Sequence, residues 1–351
     1  MKKIQKLPTL WQEHLEKKID EINAAREKAG NDAPCFALVT DFHIAENEGY
    51  SVRLMEEILS KCDIPYLFSA GDAASGVGIC TADFLKGEIK EFLSALAKVG
   101  EKLLFVEGNH DRAFSTFEPP LYYKENIPRC ELDEICFARQ REYGNRVFGG
   151  HGYYYVDEPK IKTRFVVLNS QDVPSDEKTA EGYAKYNAMR HFGFLEAQIK
   201  WFSDIALRLP DDGWGIVVCS HSDYIGAKKE EHCYNYEIML GVIDAFRRKT
   251  VYEGEKLHED SAFDAKIKVD FEDAKGDFFA WVSGHTHNDR INEVMGVVSV
   301  STTTDAAFLS TNPERRGTLS ECAFDVFVVN RKARCINTVR IGAGENREVF
   351  Y

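Results

Sequence analysis

Residues 108–111 read Gly-Asn-His-Asp and come, after one glutamate, behind the apolar run Leu-Leu-Phe-Val at residues 103–106. The apolar run predicts a short buried strand, and glycine allows the sharp turn that ends it. An amide, an imidazole and a carboxylate therefore stand just beyond the carboxyl end of a strand, where α/β sheets bind their ligands. The stretch predicts one part of a functional site at a sheet edge.

Four other apolar runs are followed by the same kinds of side chain. The residues that follow them are Asp41 and His43 after 36–39, Asp72 after 66–68, His221 after 216–219, and His285 and His287 after 279–282. Each run has the length and composition of a buried strand bounded by a turn. Five strands that present Asp, Asn or His at the same end indicate one shared site.

The spacing of these runs predicts the fold class. Two stretches with helical periodicity, Val52 to Lys61 and Phe84 to Val99, separate the first three runs. Strand, helix, strand, helix and strand in this order are typical of a parallel sheet in an α/β protein. Another helix is predicted at about residues 9–28, and the β-rich tail after His287 is expected to contribute mainly to a second sheet.

We expect a single domain over residues 1–351, with inserts at about 112–157 and 223–276. The first insert is placed at the mouth of the site. Within the second, Tyr236 to Arg248 predicts a helix, and the charged tract Glu253 to Asp260 predicts a solvated loop.

Composition narrows the functional classes. The chain has 351 residues, 44% of them hydrophobic, and a formal net charge of -13. A broad nucleic-acid or anionic-membrane surface requires a basic protein, so neither nucleic acid nor a membrane is expected as a partner. The nine cysteines form no C-x-x-C pair. Together with the lack of a signal peptide, they predict buried free thiols and a cytoplasmic protein.

Carboxylate, imidazole and amide oxygens are good ligands for Mn²⁺, Fe and Zn²⁺. The candidate set exceeds what one tetrahedral ion needs and consists of Asp41, His43, Asp72, Asn109, His221, His285 and His287. It suits two ions that share a bridging carboxylate. Two ions about 3.5–4 Å apart can hold a hydroxide that attacks phosphorus in line.

The ordered motifs resemble the calcineurin-like metallophosphoesterase superfamily. They are D-x-H at 41–43, G-D at 71–72, G-N-H-D at 108–111, His221, and G-H-T-H at 284–287. The resemblance implies a two-sheet β-sandwich flanked by helices on both outer faces, a four-layer fold. Residues 196–202 loosely resemble the branch of purple acid phosphatases and cyclic-nucleotide phosphodiesterases.

The resemblance also implies roles for individual residues. It assigns the first metal to Asp41, His43 and His287, the second to Asn109, His221 and His285, and the bridge to Asp72. His110 would face the scissile phosphate, stabilising charge and protonating the leaving oxygen. Asp111 or Arg112 would orient His110 or contact phosphate.

Two positions depart from the pattern, and one of them, at His221, lacks only a proline that often follows the histidine. Many relatives carry Asp or Tyr three residues after the bridging aspartate, whereas this chain has Ser75. Without tyrosine, the tyrosinate–iron chemistry of purple acid phosphatases is not expected. Without aspartate, His110 lacks the orienting partner found in protein serine/threonine phosphatases, which makes that activity a poorer fit.

The sequence thus predicts a dinuclear metal-dependent hydrolase of small phosphate esters, either a phosphomonoesterase or a phosphodiesterase. Two alternatives are a non-catalytic scaffold on the same fold and a metal-dependent nuclease. The complete ligand set disfavours the scaffold, and the acidic balance disfavours the nuclease. The histidines outside the motifs are expected to serve packing or the surface, with His151 of interest because it lies between two glycines in the first insert; the others are His14, His191, His232 and His258.

Overall fold

A computed structural model describes residues 6–30, 32–44, 49–76, 80–114, 124–230, 232–306 and 312–351. Parts of both predicted inserts, residues 115–123 and residue 231, lie outside the described residues. The strands are β1 (Cys35–Val39), β2 (Leu67–Ala70), β3 (Leu103–Val106), β4 (Ala113–Phe114), β5 (Glu125–Asn126), β6 (Arg146–Gly150), β7 (Tyr153–Glu158), β8 (Thr163–Val167), β9 (His191–Gly193), β10 (Gly215–Cys219), β11 (His232–Tyr234), β12 (Val251–Lys256), β13 (Ala265–Asp270), β14 (Asp277–Ser283), β15 (Arg290–Val294), β16 (Val297–Ser301), β17 (Ala323–Asn330), β18 (Cys335–Gly342) and β19 (Arg347–Phe350).

The α-helices are α1 (Thr9–Ala29), α2 (Tyr50–Lys61), α3 (Ala82–Ala95), α4 (Asn109–Arg112), α5 (Arg129–Leu132), α6 (Ala138–Glu142), α7 (Glu196–Trp201), α8 (Tyr224–Ala227) and α9 (Tyr236–Arg248). Of these, α1, α2, α3 and α9 begin and end close to the predicted positions. Among the described residues, no helix is long and apolar enough to cross a lipid bilayer.

Two large sheets hold most of the strands. The first has the order β19-β18-β17-β1-β2-β3, and the second has the order β15-β16-β14-β10-β8-β7-β6. The strands β1, β2 and β3 are parallel neighbours, as the strand–helix alternation predicted. In the second sheet β10 lies parallel to β8 and to β14. The carboxyl ends of β1, β2, β3, β10 and β14 are the ends that carry the predicted ligands.

Apolar side chains from both sheets share one hydrophobic cluster. The ring of Phe36 on β1 lies 5.7 Å from the ring of Phe165 on β8. The other face of the second sheet packs with residues of α7 and α9 in a separate cluster. Burying one such side chain contributes about 1.5–3 kcal/mol. The α/β fold class is confirmed, and these contacts support the predicted packing of two sheets.

The expectation for the tail after His287 is wrong in part. Only β15 and β16 join the second sheet, whereas β17, β18 and β19 extend the first. Strand β17 pairs antiparallel with β1, with Phe36 opposite Phe327 and their rings stacked 4.7 Å apart. Antiparallel partners need no fixed separation in sequence, so the strand runs alone could not choose between the two sheets.

The charged tract of the second insert is not simply a loop. Its first half belongs to β12, which pairs antiparallel with β13. Charges face solvent on one side of this hairpin, where Glu253 lies 2.9 Å from Lys268 and Glu255 lies 3.2 Å from Lys266. The alternate positions of β13, among them Ile267, are buried, which fixes the register.

Candidate metal centre

Hydrogen bonds donated by backbone amides join the turns behind β1, β2, β10 and β14. The amide of Asp41 donates to the carbonyl of Gly71 at 3.0 Å, which links β1 to β2. Between the sheets, the amide of His285 donates to Oδ2 of Asp41 at 2.9 Å. The amide of Gly284 donates to the carbonyl of His221 at 2.9 Å. The predicted meeting of strand ends therefore takes place across both sheets.

The first group of donors consists of Asp41, His43 and His287, whose potential ligand atoms lie within 4.8 Å of one another. Nε2 of His287 is 3.1 Å from Oδ1 of Asp41 and 3.3 Å from Nε2 of His43. These are the three residues that the resemblance assigns to the first metal.

The second group of donors surrounds His221. Its Nε2 atom lies 3.3 Å from Oδ2 of Asp72 and 2.8 Å from Oδ1 of Asn109. On the other side of the ring, Nδ1 donates to the carbonyl of Ala70 at 2.8 Å, so Nε2 is the ring nitrogen that faces the group. Asp41, Asp72 and His221 also lie within 4.8 Å of one another, so Asp41 belongs to both groups.

His285 is near these donors but is turned differently. Its ring lies 5.0 Å from the ring of His221, whereas its Nε2 atom is 2.8 Å from Oε1 of Glu230. His285 belongs to neither of the two groups whose atoms lie within 4.8 Å of one another, and its remaining ring nitrogen, Nδ1, is the one left to act as a ligand. Glu230 stands in a charged run and follows no strand end, so no sequence pattern singles it out.

His110 lies beside the first group. Its ring is 5.1 Å from the ring of His43, nearly perpendicular to it, and its backbone amide donates to Oδ1 of Asp72 at 2.8 Å. Ser75, which occupies the position where relatives have an orienting residue, turns away and donates to Oε1 of Glu88 at 2.8 Å. At this position, where relatives have a residue that orients the histidine, the side chain of Ser75 is instead bonded to Glu88.

Asp111 and Arg112 lie beneath the donors. Asp111 accepts backbone amides from Asp72, Ala74 and Gly108 at 2.9–3.0 Å, which binds two ligand-bearing turns together. Arg112 has no exposed surface, and its Nε atom lies 3.0 Å from Oε1 of Glu107. Protein groups surround the guanidinium below the surface, and the contact of Arg112 with phosphate stays a prediction.

His151 serves the same buried network. Its ring nitrogens lie 2.9 Å from Glu107 and 2.8 Å from Asp133. Burial would lower the pKa of His151, but the Glu107 and Asp133 carboxylates outweigh this effect and raise it. His151 thus supports Arg112 behind the site.

The charges of the donor side chains balance one another, which explains how these ionisable groups can be buried together. Burial lowers the pKa of His43 to about 4, so its ring is neutral at neutral pH. Burial would also lower the pKa of His221, but the carboxylates of Asp72 and Asp41 raise it to about 10. Burial would raise the pKa of Asp72, yet His221 and His110 hold it well below its ordinary value. A protonated His221 therefore balances negative charge when the site holds no cation.

The local backbone is unusual at the same residues. Asp41, His43, Asp72, His285 and His287 all have φ between 43° and 69°, a region that costs side chains other than glycine energy. A Cβ atom at Gly108 would collide with the carboxylate of Asp72, and one at Gly284 would collide with Thr40. Strain and close approach are concentrated where the donors converge.

The residues present fit divalent or trivalent cations. Asp41, Asp72 and His221 are at most 1% exposed. Two carboxylates buried so close together are costly unless positive charge accompanies them. The donors are oxygen and imidazole nitrogen without thiolate, a set that suits Mn, Fe or Zn.

The chain belongs to the calcineurin-like phosphoesterase family, which it matches over residues 36–289. It is accordingly a metal-dependent phosphoesterase, a hydrolase that acts on ester bonds. All the donors described above lie within the matched residues. No curated protein sequence matches the chain significantly.

Several solved structures are similar to the chain at low identity. The phosphopantetheinyl hydrolase of Mycobacterium tuberculosis is 15% identical, with 82% of this chain and 94% of that chain covered and a TM-score of 0.39. An archaeal phosphodiesterase is 11% identical, with 90% and 99% covered and a TM-score of 0.31. Vacuolar protein sorting 29 of Cryptosporidium parvum is 12% identical, with 90% and 96% covered and a TM-score of 0.29.

Proposed function

We propose that the protein is a dinuclear metallohydrolase of small phosphate esters, acting as a phosphomonoesterase or a phosphodiesterase. One observation carries the proposal: imidazole and carboxylate donors from both sheets form two overlapping groups at one edge of the fold. One tetrahedral ion would leave part of this set unused.

In this proposal Asp41, His43 and His287 hold the first ion, Asn109, His221 and His285 hold the second, and Asp72 is shared. The convergence of the first three on a common space supports the first assignment. The contacts of His221 Nε2 with Asp72 and Asn109 support the second. When bound, such ions lower the pKa of water and stabilise charge on phosphoryl oxygens.

His110 is the proposed catalytic residue. Its position beside His43, on the turn that also carries Asn109, places an imidazole next to both groups without making it part of either. From there it can donate a hydrogen bond to a phosphoryl oxygen or a proton to the leaving oxygen. Asp111 acts indirectly in this scheme, because it fixes the turns of Asp72 and Gly108.

Two further proposals concern the protein as a whole. We propose a single domain over residues 1–351 and a cytoplasmic location. All nine cysteines are free, and burial raises the pKa of several thiols, among them Cys35 to about 12. Such thiols fit a reducing compartment, where disulfides are rare.

The test is a substrate comparison with protein reconstituted separately with Mn, Fe and Zn. p-Nitrophenyl phosphate reports monoesterase activity, and bis-p-nitrophenyl phosphate reports diesterase activity. We expect turnover of at least one ester by the loaded wild type, and its loss after chelation and in Asp72→Asn. Failure of every metal form to hydrolyse either ester, despite bound metal, would count against the proposed function.

A further inference from the structure

Glu230 touches a candidate metal ligand, although it lies in the second insert and outside every motif. Its Oε1 atom is 2.8 Å from Nε2 of His285. The side chain of His285 is 11% exposed and that of Glu230 26% exposed, so the pair lies at the margin of the site. A carboxylate on the outer nitrogen of a ligand histidine commonly fixes which nitrogen binds the metal.

The ring of His285 is also held on its other sides. The ring of Phe192 lies 4.8 Å away, and that of His221 lies 5.0 Å away. The backbone amide of His285 donates to Oδ2 of Asp41 at 2.9 Å. The backbone and two neighbouring rings thus restrict the position of His285, and the hydrogen bond to Glu230 holds Nε2, which leaves Nδ1 as the free ring nitrogen.

Glu230 itself is carried by an anchored segment. Its amide donates to the carbonyl of Ala227, the last residue of α8, at 2.9 Å. At the start of α8, the Asp223 carboxylate accepts the amide of Gly226 at 2.7 Å. The same carboxylate accepts the hydroxyl of Ser299 on β16 at 2.8 Å. The segment that carries Glu230 is therefore tied to the second sheet, which also carries His285.

We propose that Glu230 is a positioning residue for the second metal site. Its carboxylate accepts the Nε2 hydrogen of His285 and so leaves the lone pair of the neutral ring on Nδ1, directed to the ion. The inference rests on the proposed function, because it requires that His285 is a ligand. Loss of such an outer partner typically lowers metal affinity about 10–100-fold.

The test measures zinc binding and does not rely on turnover. Metal-free wild type, Glu230→Ala and Glu230→Gln are titrated with Zn²⁺ and followed by calorimetry and elemental analysis. Glu255→Ala is the matched control, since Glu255 lies in the same insert but pairs with Lys266 on the hairpin. We expect Glu230→Ala to lose about 10–100-fold in affinity at one of two sites. Glu230→Gln should lose less, because its amide oxygen still accepts the hydrogen bond, and Glu255→Ala should match the wild type.

Nitrogen-15 NMR of the zinc-loaded protein supplies the second measurement. In the wild type, His285 should carry its hydrogen on Nε2 and bind zinc through Nδ1. Zinc on Nε2, or unchanged affinity in Glu230→Ala, would overturn the positioning role. Equal losses in the alanine and glutamine variants would identify Glu230 as a ligand and overturn it as well. A wild type that binds no zinc, manganese or iron would instead refute the proposed function, and the inference with it.

Discussion

Nε2 of His43 lies 3.3 Å from Nε2 of His287, although 244 residues separate the two histidines along the chain. At that distance only one hydrogen can lie between the two rings, so at least one lone pair is directed into the gap. Oδ1 of Asp41 is directed at the same space, 3.1 Å from Nε2 of His287. A cation placed there would satisfy all three groups.

The first prediction concerns the shared carboxylate. His287→Ala should weaken one ion and leave the other, whereas Asp72→Ala should weaken both, because a bridging carboxylate serves two ions. Elemental analysis after dialysis at a fixed free metal concentration measures both occupancies. Since Asp41 belongs to both donor groups, Asp41→Ala is measured beside them. A loss of both ions in Asp41→Ala and of only one in Asp72→Ala would show that Asp41, and not Asp72, is the bridging carboxylate.

The second prediction is a pH dependence of metal binding. The pKa of His221 is raised to about 10 in the metal-free chain, so an ion entering at neutral pH must displace its proton. His43, with a pKa lowered to about 4, is already neutral and releases none. Apparent affinity should therefore rise as pH increases from neutrality towards 10, and about one proton should be released from His221. Calorimetry in buffers of different ionisation enthalpy counts the protons, and a heat that is independent of buffer would contradict the prediction.

The third prediction separates chemistry from metal binding at His110. His110→Ala should keep both ions and lose about 10²–10⁴-fold in kcat, the usual effect of removing a positioned acid. If His110 protonates the leaving oxygen, the loss is smaller for p-nitrophenyl phosphate than for an alkyl phosphate. Equal losses would indicate charge stabilisation. Loss of an ion would show that His110 is a ligand, and full activity on every substrate would remove it from the mechanism.

The fourth prediction uses two glycines as a matched pair. A methyl group at Gly108 would collide with Asp72, although its φ of -106° suits alanine, so the effect of Gly108→Ala is steric. We expect a loss of about 1–3 kcal/mol in unfolding free energy together with weaker metal binding. Gly87→Ala has open space on α3 and should gain about 0.4–1 kcal/mol with metal content unchanged. Thermal melts and metal analysis of both variants provide the comparison, and normal metal content in Gly108→Ala would contradict the steric argument.

The parts of the fold that depend on local pattern were accessible from the sequence. The alternation of apolar runs and helical stretches predicted β1, β2 and β3 as parallel neighbours, and the donors behind them do meet. A ligand that follows a strand can be found in the sequence, because the apolar run that predicts the strand lies only a few residues before it. The same reasoning found His110 next to Asn109, because both follow one turn.

Features that depend on distant contacts had no such signal. Glu230 reaches His285 only because α8 is anchored to β16 through Asp223, a relation between three separate segments. The left-handed backbone at Asp41 and Asp72 is also imposed by the surrounding structure, since neither residue type requires it. The pairing of β17 with β1 belongs to the same class of feature.

That last pairing has a consequence for the order of biosynthesis. A growing chain that has just exposed His287 already contains every proposed donor, yet one edge of β1 still has no partner. The turn that carries Asp41 also lacks a hydrogen bond at that stage. Its donor, the hydroxyl of Thr304, lies 263 residues later in the chain and reaches the carbonyl of Asp41 at 2.7 Å. Pairing over such distances is slow, because loop-closure entropy opposes it until the contacts have formed. We therefore expect the nascent chain to bind its metal only after β17 has paired with β1. Bound metal would then be found only in completely folded molecules.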